Sequence, residues 1–403
     1  MLLEIIGADG TFDGLNTSFF FYDYDMRGVL VECGFTVYPE LVRRNLVDKV
    51  DIVLLSHNHT DHAGSLPTLA VYSIMYRKKK LIVGGNEDEI KKLFDTCGVR
   101  PNEDYEFLPA NDPLNLRIKR VAHIPGEGPA NAIYIHPQLF YSGDTSESLL
   151  DTEYAKEAQV IIHDCWLKGA AHVNFDVLAA APLEIRKKTY LAHIPSEERA
   201  EITRLAAENG FAGVLESGGR QRIRILDGGA FDILTEDGRT TGQTANLSEV
   251  IAKKHPIATA AVWIMNSKGQ VLLQKNGIKE HPGYGMWRQS ATAKMMSGEA
   301  PEICAVRMLS DELGLSIKRE QLIKLGIAPY KFRGAGPAFC HVFLVENIDV
   351  EIGDLNLYEP DIIEEKWFDL EYVKNWEQNG LEINPADFVP RLNLLLSQPT
   401  PGA

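Results

Sequence analysis

The stretch Ser56-His57-Asn58-His59-Thr60-Asp61-His62 constrains this chain more than any other. The apolar run Asp51-Ile52-Val53-Leu54-Leu55 before it reads as a buried parallel strand. After it, Ala63-Gly64-Ser65-Leu66-Pro67 reads as a turn feeding a helix. Three imidazoles and a carboxylate at the carboxyl end of a strand predict a metal site whose other ligands come from later in the chain. In His57-x-His59-x-Asp61-His62 a tight turn lets alternate side chains converge. His57 and His59 can share one ion, and Asp61 and His62 a second beside it. Neutral imidazole suits zinc, and the carboxylate extends the choice to manganese or iron.

The surrounding sequence supplies a scaffold of the matching kind. To about residue 235, short apolar strands such as 2–6, 18–22, 29–32, 81–83, 139–142, 160–163 and 189–192 alternate with helical segments. That alternation is an α/β layered signature. Residues 236–255 are polar and rich in Gly and Thr, and are expected to be a linker. A new pattern of strands, a hairpin turn at Asn266-Ser267-Lys268-Gly269 and a helix over 300–313 then runs through 256–396. The tail, 397–403, is expected to fray. A chain of 403 residues is long enough for this two-domain division.

Charge narrows the partner. Lys plus Arg is 41 and Asp plus Glu is 56, a formal charge of −15. Nucleic-acid binding relies on many cation–phosphate contacts, so this balance favours a small substrate over long RNA. The five cysteines are scattered and without CxxC spacing, as expected of a reducing, cytoplasmic setting without disulfides. No basic leader and no long apolar run is seen, so neither export nor a membrane span is expected.

The histidine cluster resembles the HxHxDH signature of the metallo-β-lactamase superfamily. The resemblance covers roughly residues 1–235 and implies a four-layer αββα sandwich holding two divalent ions, zinc foremost. Further motifs follow in the family's order. Leu139-Phe140-Tyr141-Ser142-Gly143-Asp144 resembles the strand whose terminal Asp bridges the metals, which implies Asp144. Tyr190-Leu191-Ala192-His193 resembles the strand ending in the last ligand, His193. Glu32 stands where an Asp is usual. The remaining ligand is open between His123, which directly follows a strand, and Glu127, which follows Pro125-Gly126. Glu127 would shift the preference towards a harder metal.

Ile161-Ile162-His163-Asp164-Cys165-Trp166 with His172-Val173-Asn174-Phe175 resembles the RNase Z and phosphodiesterase branch. That resemblance implies Asp164 and His172 as the pair that protonates the leaving oxygen, and Asp61 and Asp144 as holders of the attacking hydroxide.

In the C-terminal part, Glu299-x7-Arg307-Met308-Leu309-Ser310-Asp311-Glu312-Leu313-Gly314 resembles the Nudix box, implying an α+β Nudix fold and a site at Glu299, Arg307, Asp311 and Glu312 whose carboxylates would bind Mg²⁺. Met308 replaces a carboxylate that normally binds metal. Within that group, Pro282-Gly283-Tyr284-Gly285-Met286-Trp287 resembles isopentenyl diphosphate isomerase, but Thr292 stands at its catalytic Cys and Lys294 at a metal-binding His, which excludes isomerisation. The expected function is a dinuclear phosphodiesterase on a small nucleotide-like or phosphorylated substrate. Its Nudix-like domain would recognise a diphosphate or nucleotide, or build a homodimer. An RNase Z-type endoribonuclease and a nucleotide sensor or scaffold with a structural metal site stand as alternatives.

Overall fold

A computed structural model describes residues 2–398 apart from 11–13, 24–26, 113, 115, 125–129, 136–137, 219–220, 226–230, 278–282, 316, 332–335 and 356–361. The chain forms two compact units, Met1–Leu226 and Asp227–Ala403.

The first unit contains the strands β1 (Leu2–Gly7), β2 (Ser18–Tyr22), β3 (Gly28–Val31), β4 (Val50–Leu54), β5 (Leu81–Gly84), β6 (Tyr105–Phe107), β7 (Leu116–Val121), β8 (Ala130–Ile135), β9 (Leu139–Tyr141), β10 (Val160–Asp164), β11 (Thr189–Ala192), β12 (Gly213–Val214) and β13 (Arg222–Arg224). They form one sheet in the order β13-β1-β2-β3-β4-β5-β6 and another in the order β12-β11-β10-β9-β8-β7. Strand alternation explains the layers. In β2, Phe19 and Phe21 point into a core shared with Ile133, Tyr141 and Ile162 of the other sheet. Phe20 points the opposite way, to Leu41, Leu66 and Phe94 on outer helices. The second sheet turns Phe140 and Ile161 outward to Leu178, Ile202 and Ala206 on the helices of the fourth layer. The result is the αββα sandwich.

β3, β4, β5 and β6 pair in parallel, as do β9, β10, β11 and β12. Parallel strands gather loops at their carboxyl ends, and those ends carry the residues singled out in the sequence. A short helix, Thr60–Ala63, follows the five-residue loop after β4 and carries Asp61 and His62.

The second unit contains β14 (Phe231–Leu234), β15 (Thr240–Ala245), β16 (Ile257–Ile264), β17 (Gln270–Asn276), β18 (Trp287–Arg288), β19 (Ala291–Lys294), β20 (Ile323–Lys331), β21 (Pro337–Val345) and β22 (Ile362–Asp369). One sheet has the order β19-β16-β21-β20 and another β18-β17-β22. Ala260, Val262 and Ile264 of β16 pack with the helix Pro301–Leu313, while Ala261 and Trp263 pack with the helix Pro385–Leu396. The turn after β16 has Gly269 at φ 75°, and the Asn266 side chain accepts from the Lys268 and Gln270 amides.

The segment expected as a linker is structured. Residues 240–245 pair with β14, and the helix Leu247–Lys253 follows, capped by the Asn246 side chain. Leu234, Ala245, Val250 and Ile257 bury their side chains, so 236–255 belongs to the second unit's fold.

Candidate metal centre

The loop after β4 is held at both ends. The Ser56 amide faces the Glu32 carboxylate at 3.3 and 3.4 Å, and Asn131 donates to the Ser56 carbonyl at 2.8 Å. Glu32, fully buried with φ 62°, also reaches His62 Nδ1 at 3.3 Å. Gly143 places Asp144: its φ is 59°, and a Cβ there would stand 2.5 Å from the Asn131 carbonyl oxygen. His193 holds a left-handed φ of 57°, fixed by its amide donating to Ala8 and by Trp166 Nε1 donating to its carbonyl.

Two groups of donor atoms result, each within 4.8 Å of one another: His57, His59, His123 and Asp144, and Asp61, His62, His193 and Asp144. Asp144 Oδ2 lies 3.3 Å from the Nε2 atoms of His62 and His193 and 3.9 Å from those of His57 and His123. The outer nitrogens of His57 and His123 are occupied. His57 Nδ1 lies 2.9 Å from Ser56 Oγ, and His123 Nδ1 lies 3.0 Å from the Ala171 carbonyl oxygen. A carbonyl can only accept, so His123 carries its proton on Nδ1 and offers a lone pair at Nε2.

The donor set fits divalent metal. Nε2 of His57, His62, His123 and His193 and Oδ1 of Asp144 are buried without a hydrogen-bond partner. Such atoms cost free energy unless something satisfies them. Imidazole nitrogens backed by outer hydrogen bonds and joined by a carboxylate form a zinc, manganese or iron donor set. Burial lowers the basicity of His57, His123 and His193, the last to about 4, which keeps their lone pairs available. Burial opposes charge on His62 and Asp144 too. There the mutual attraction wins, aided on His62 by Glu32 and on Asp144 by His193, so His62 is raised and Asp144 lowered.

Beside this centre, His172 Nδ1 lies 2.8 Å from Asp164 Oδ2, which also accepts from the Thr145 amide at 3.1 Å. Burial raises Asp164. Burial alone would lower His172, but Asp164 raises it. Asp164, His172 and Asp144 form a third group of close donors. Glu127 lies outside the described residues.

In the second unit, Glu299 grips Arg307 with Nε at 2.7 Å and Nη2 at 3.1 Å, and also accepts from the Met296 amide. Asp311 lies 3.8 Å from Arg307 Nη1, whereas Glu312 lies 4.0 Å from Arg288 Nη2. The helix therefore parts its two carboxylates, because neighbouring residues point about 100° apart. Met308 is buried in the core. Glu365, with Gln274 donating to it at 3.2 Å, is pushed up to about 7, chiefly by burial.

Separate family models match parts of the two units. A family model described as Anti-Pycsar protein Apyc1 matches residues 82–220, one described as Metallo-beta-lactamase superfamily matches 12–75, and one described as NUDIX domain matches 254–392. An Anti-Pycsar protein Apyc1 of Paenibacillus harenae is 30% identical over 191 residues, covering 41% of this chain and 77% of that protein. The chain belongs to the metallo-β-lactamase superfamily. To this superfamily fold it joins a NUDIX domain, and both families are hydrolase families. An isopentenyl-diphosphate Delta-isomerase of Escherichia coli is 23% identical over 164 residues, covering 39% of this chain and 84% of that protein. The metallo-β-lactamase fold protein YhfI of Bacillus subtilis aligns with a TM-score of 0.44 and 19% identity, over 55% of this chain and 98% of that one.

Sequence reasoning on this superfamily member missed the outer partners Thr17 and Asn131, and in the NUDIX domain Gln274, Arg288 and Glu365. Thr17 Oγ1 is 3.5 Å from His193 Nδ1, across 176 residues of chain. A lone polar residue in an apolar strand, such as Gln274, was the available signal.

Proposed function

We propose that the first unit is a dinuclear metal-dependent phosphodiesterase acting on a small nucleotide-like substrate. The observation that carries this reading is the sharing of Asp144 by two groups of inward-facing donors. His57, His59, His123 and Asp144 would hold one ion, and Asp61, His62, His193 and Asp144 the other. Two ions held there would supply a nucleophile from water at neutral pH and Lewis acidity towards the phosphoryl oxygens. Asp61 and Asp144, both buried, orient the attacking water. Asp164 fixes His172 through Nδ1, leaving Nε2 to pass a proton to the leaving oxygen. The likeness to proteins named Anti-Pycsar protein Apyc1 supports a small substrate, as does the formal charge of −15.

For the second unit, the same reading assigns recognition of a diphosphate or nucleotide, or assembly, rather than hydrolysis. Met308 is buried, and Arg307 is engaged by Glu299 and Asp311.

A substrate panel on zinc-, manganese- and iron-loaded protein tests the proposal. Turnover of 3′,5′-cyclic mononucleotides or short linear phosphodiesters is expected, with little cleavage of precursor transfer RNA. Cleavage confined to RNA would replace this reading with an endoribonuclease. Full metal occupancy with no phosphodiester turnover would replace it with a sensor.

A further inference from the structure

We propose that Trp166 is a positioning residue that holds the proton donor His172 in place by face-to-face stacking. The proposal rests on the phosphodiesterase reading above. His172 stands at the end of a loop whose residues Lys168, Gly169 and Ala170 are exposed, a weak platform for a group that must aim a proton. The Trp166 and His172 rings lie 4.2 Å apart and only 6° from parallel. The hydrogen bond from Nδ1 to Asp164 fixes one direction of the imidazole, and the indole fixes its plane. The His193 ring lies 5.1 Å away, tilted 30° from that of His172.

The indole is itself anchored. Its Nε1 donates to the His193 carbonyl at 2.9 Å. Its backbone pairs across the loop, with its amide donating to Val173 and its carbonyl accepting from Phe175. The next residue, Leu167, donates to Glu198 at 2.6 Å. Core packing does not explain the ring. Its neighbours Cys165 and Leu167 join the hydrophobic cluster beneath the outer helices, while Trp166 stands outside it, half-buried against His172. The indole thus ties the strained backbone of His193 to the plane of His172.

In the step served, water oxygen bonds to phosphorus and the bond to the leaving oxygen breaks. The electron pair stays on that oxygen, which takes the proton from His172 Nε2. The proton lost by water passes through solvent to His172 Nε2, which returns the imidazole to its starting state and balances atoms and charge. A donor misplaced by about 1 Å can cost about 10²-fold. A leaving group that is stable as an anion needs no proton and escapes that cost.

The test compares a 3′,5′-cyclic mononucleotide, whose leaving oxygen is an alkoxide, with bis(p-nitrophenyl) phosphate. Trp166→Ala is expected to lower kcat on the cyclic nucleotide by about 10–100-fold and on the nitrophenyl ester by less than about threefold. Trp166→Phe, which keeps a stacking ring, is expected to restore most of the loss. The double variant Trp166→Ala/His172→Ala is expected to be no slower than His172→Ala, because a positioning effect vanishes with the group positioned. An equal loss on both substrates, no loss on either, or additive losses in the double variant would overturn the proposal alone. Wild-type protein that turns over neither substrate would overturn the phosphodiesterase reading and this proposal with it.

Discussion

Asp144 is buried among four imidazoles, and its two oxygens have different surroundings. Oδ2 faces the histidine Nε2 atoms, and Oδ1 has no hydrogen-bond partner. Asp144→Ala is expected to reduce phosphodiester turnover by about 10²–10³-fold or more, the scale of losing a preorganised electrostatic group. Steady-state kinetics at saturating metal checks this. His163 makes a contrast within the same unit. It accepts from the Leu149 amide at Nε2, lies 2.8 Å from the Asp164 carbonyl oxygen through Nδ1, and is driven by burial to about 4. A folded value below the unfolded 6.5 means that the unfolded chain binds the proton first. Stability is therefore whole above about pH 6.5 and is lost as pH falls towards 4, by about 3 kcal/mol. His163→Gln should flatten that part of the stability curve in denaturant titrations. The residues that form the two donor groups were legible as candidates because they cluster in one turn or end apolar strands. Glu32 Oε1 reaching His62, and Trp166 on His172, were not. Those contacts depend on how separate loops converge.

The strand ends explain why so few residues carry so much of the site. β4, β9, β10 and β11 each deliver a residue to it from the loop or strand end at their carboxyl side, and the junctions need unusual backbone. At Gly143, the left-handed φ and the nearby Asn131 carbonyl both oppose a Cβ. Gly143→Ala is expected to cost about 1–2 kcal/mol from backbone strain alone. That corresponds to a fall of roughly 2–8 °C in the first unit's unfolding midpoint, measurable by calorimetry. Bound metal should also fall, because the same turn aims Asp144. Strands with buried faces were legible from their apolar runs. The hairpin of β14 and β15 was not, because in Thr240–Ala245 only Ala245 is buried and no alternating pattern marks the strand.

Two compact units in one chain divide the chemistry. Every group of three or more close metal-donor residues found among the described residues lies in the first unit. The second unit keeps a buried ion pair between Glu299 and Arg307. Glu299→Ala strands the Arg307 charge in the core, and removing one partner of a buried pair costs about 3–5 kcal/mol. The second unit's thermal transition should fall accordingly, while phosphodiester turnover stays within about twofold of wild type. The pairing of a metallo-β-lactamase-type sandwich with a Nudix-like domain was legible because each part carries its own dense motif. The placement of 236–255 was not, because its polar composition conceals the few side chains it buries.

The central claim is that two metal positions share Asp144. It is tested most directly by the divalent-metal content of protein purified without chelator, measured by elemental analysis against chain concentration. The account predicts two ions per chain, one for each donor group that contains Asp144. One ion or none would contradict it.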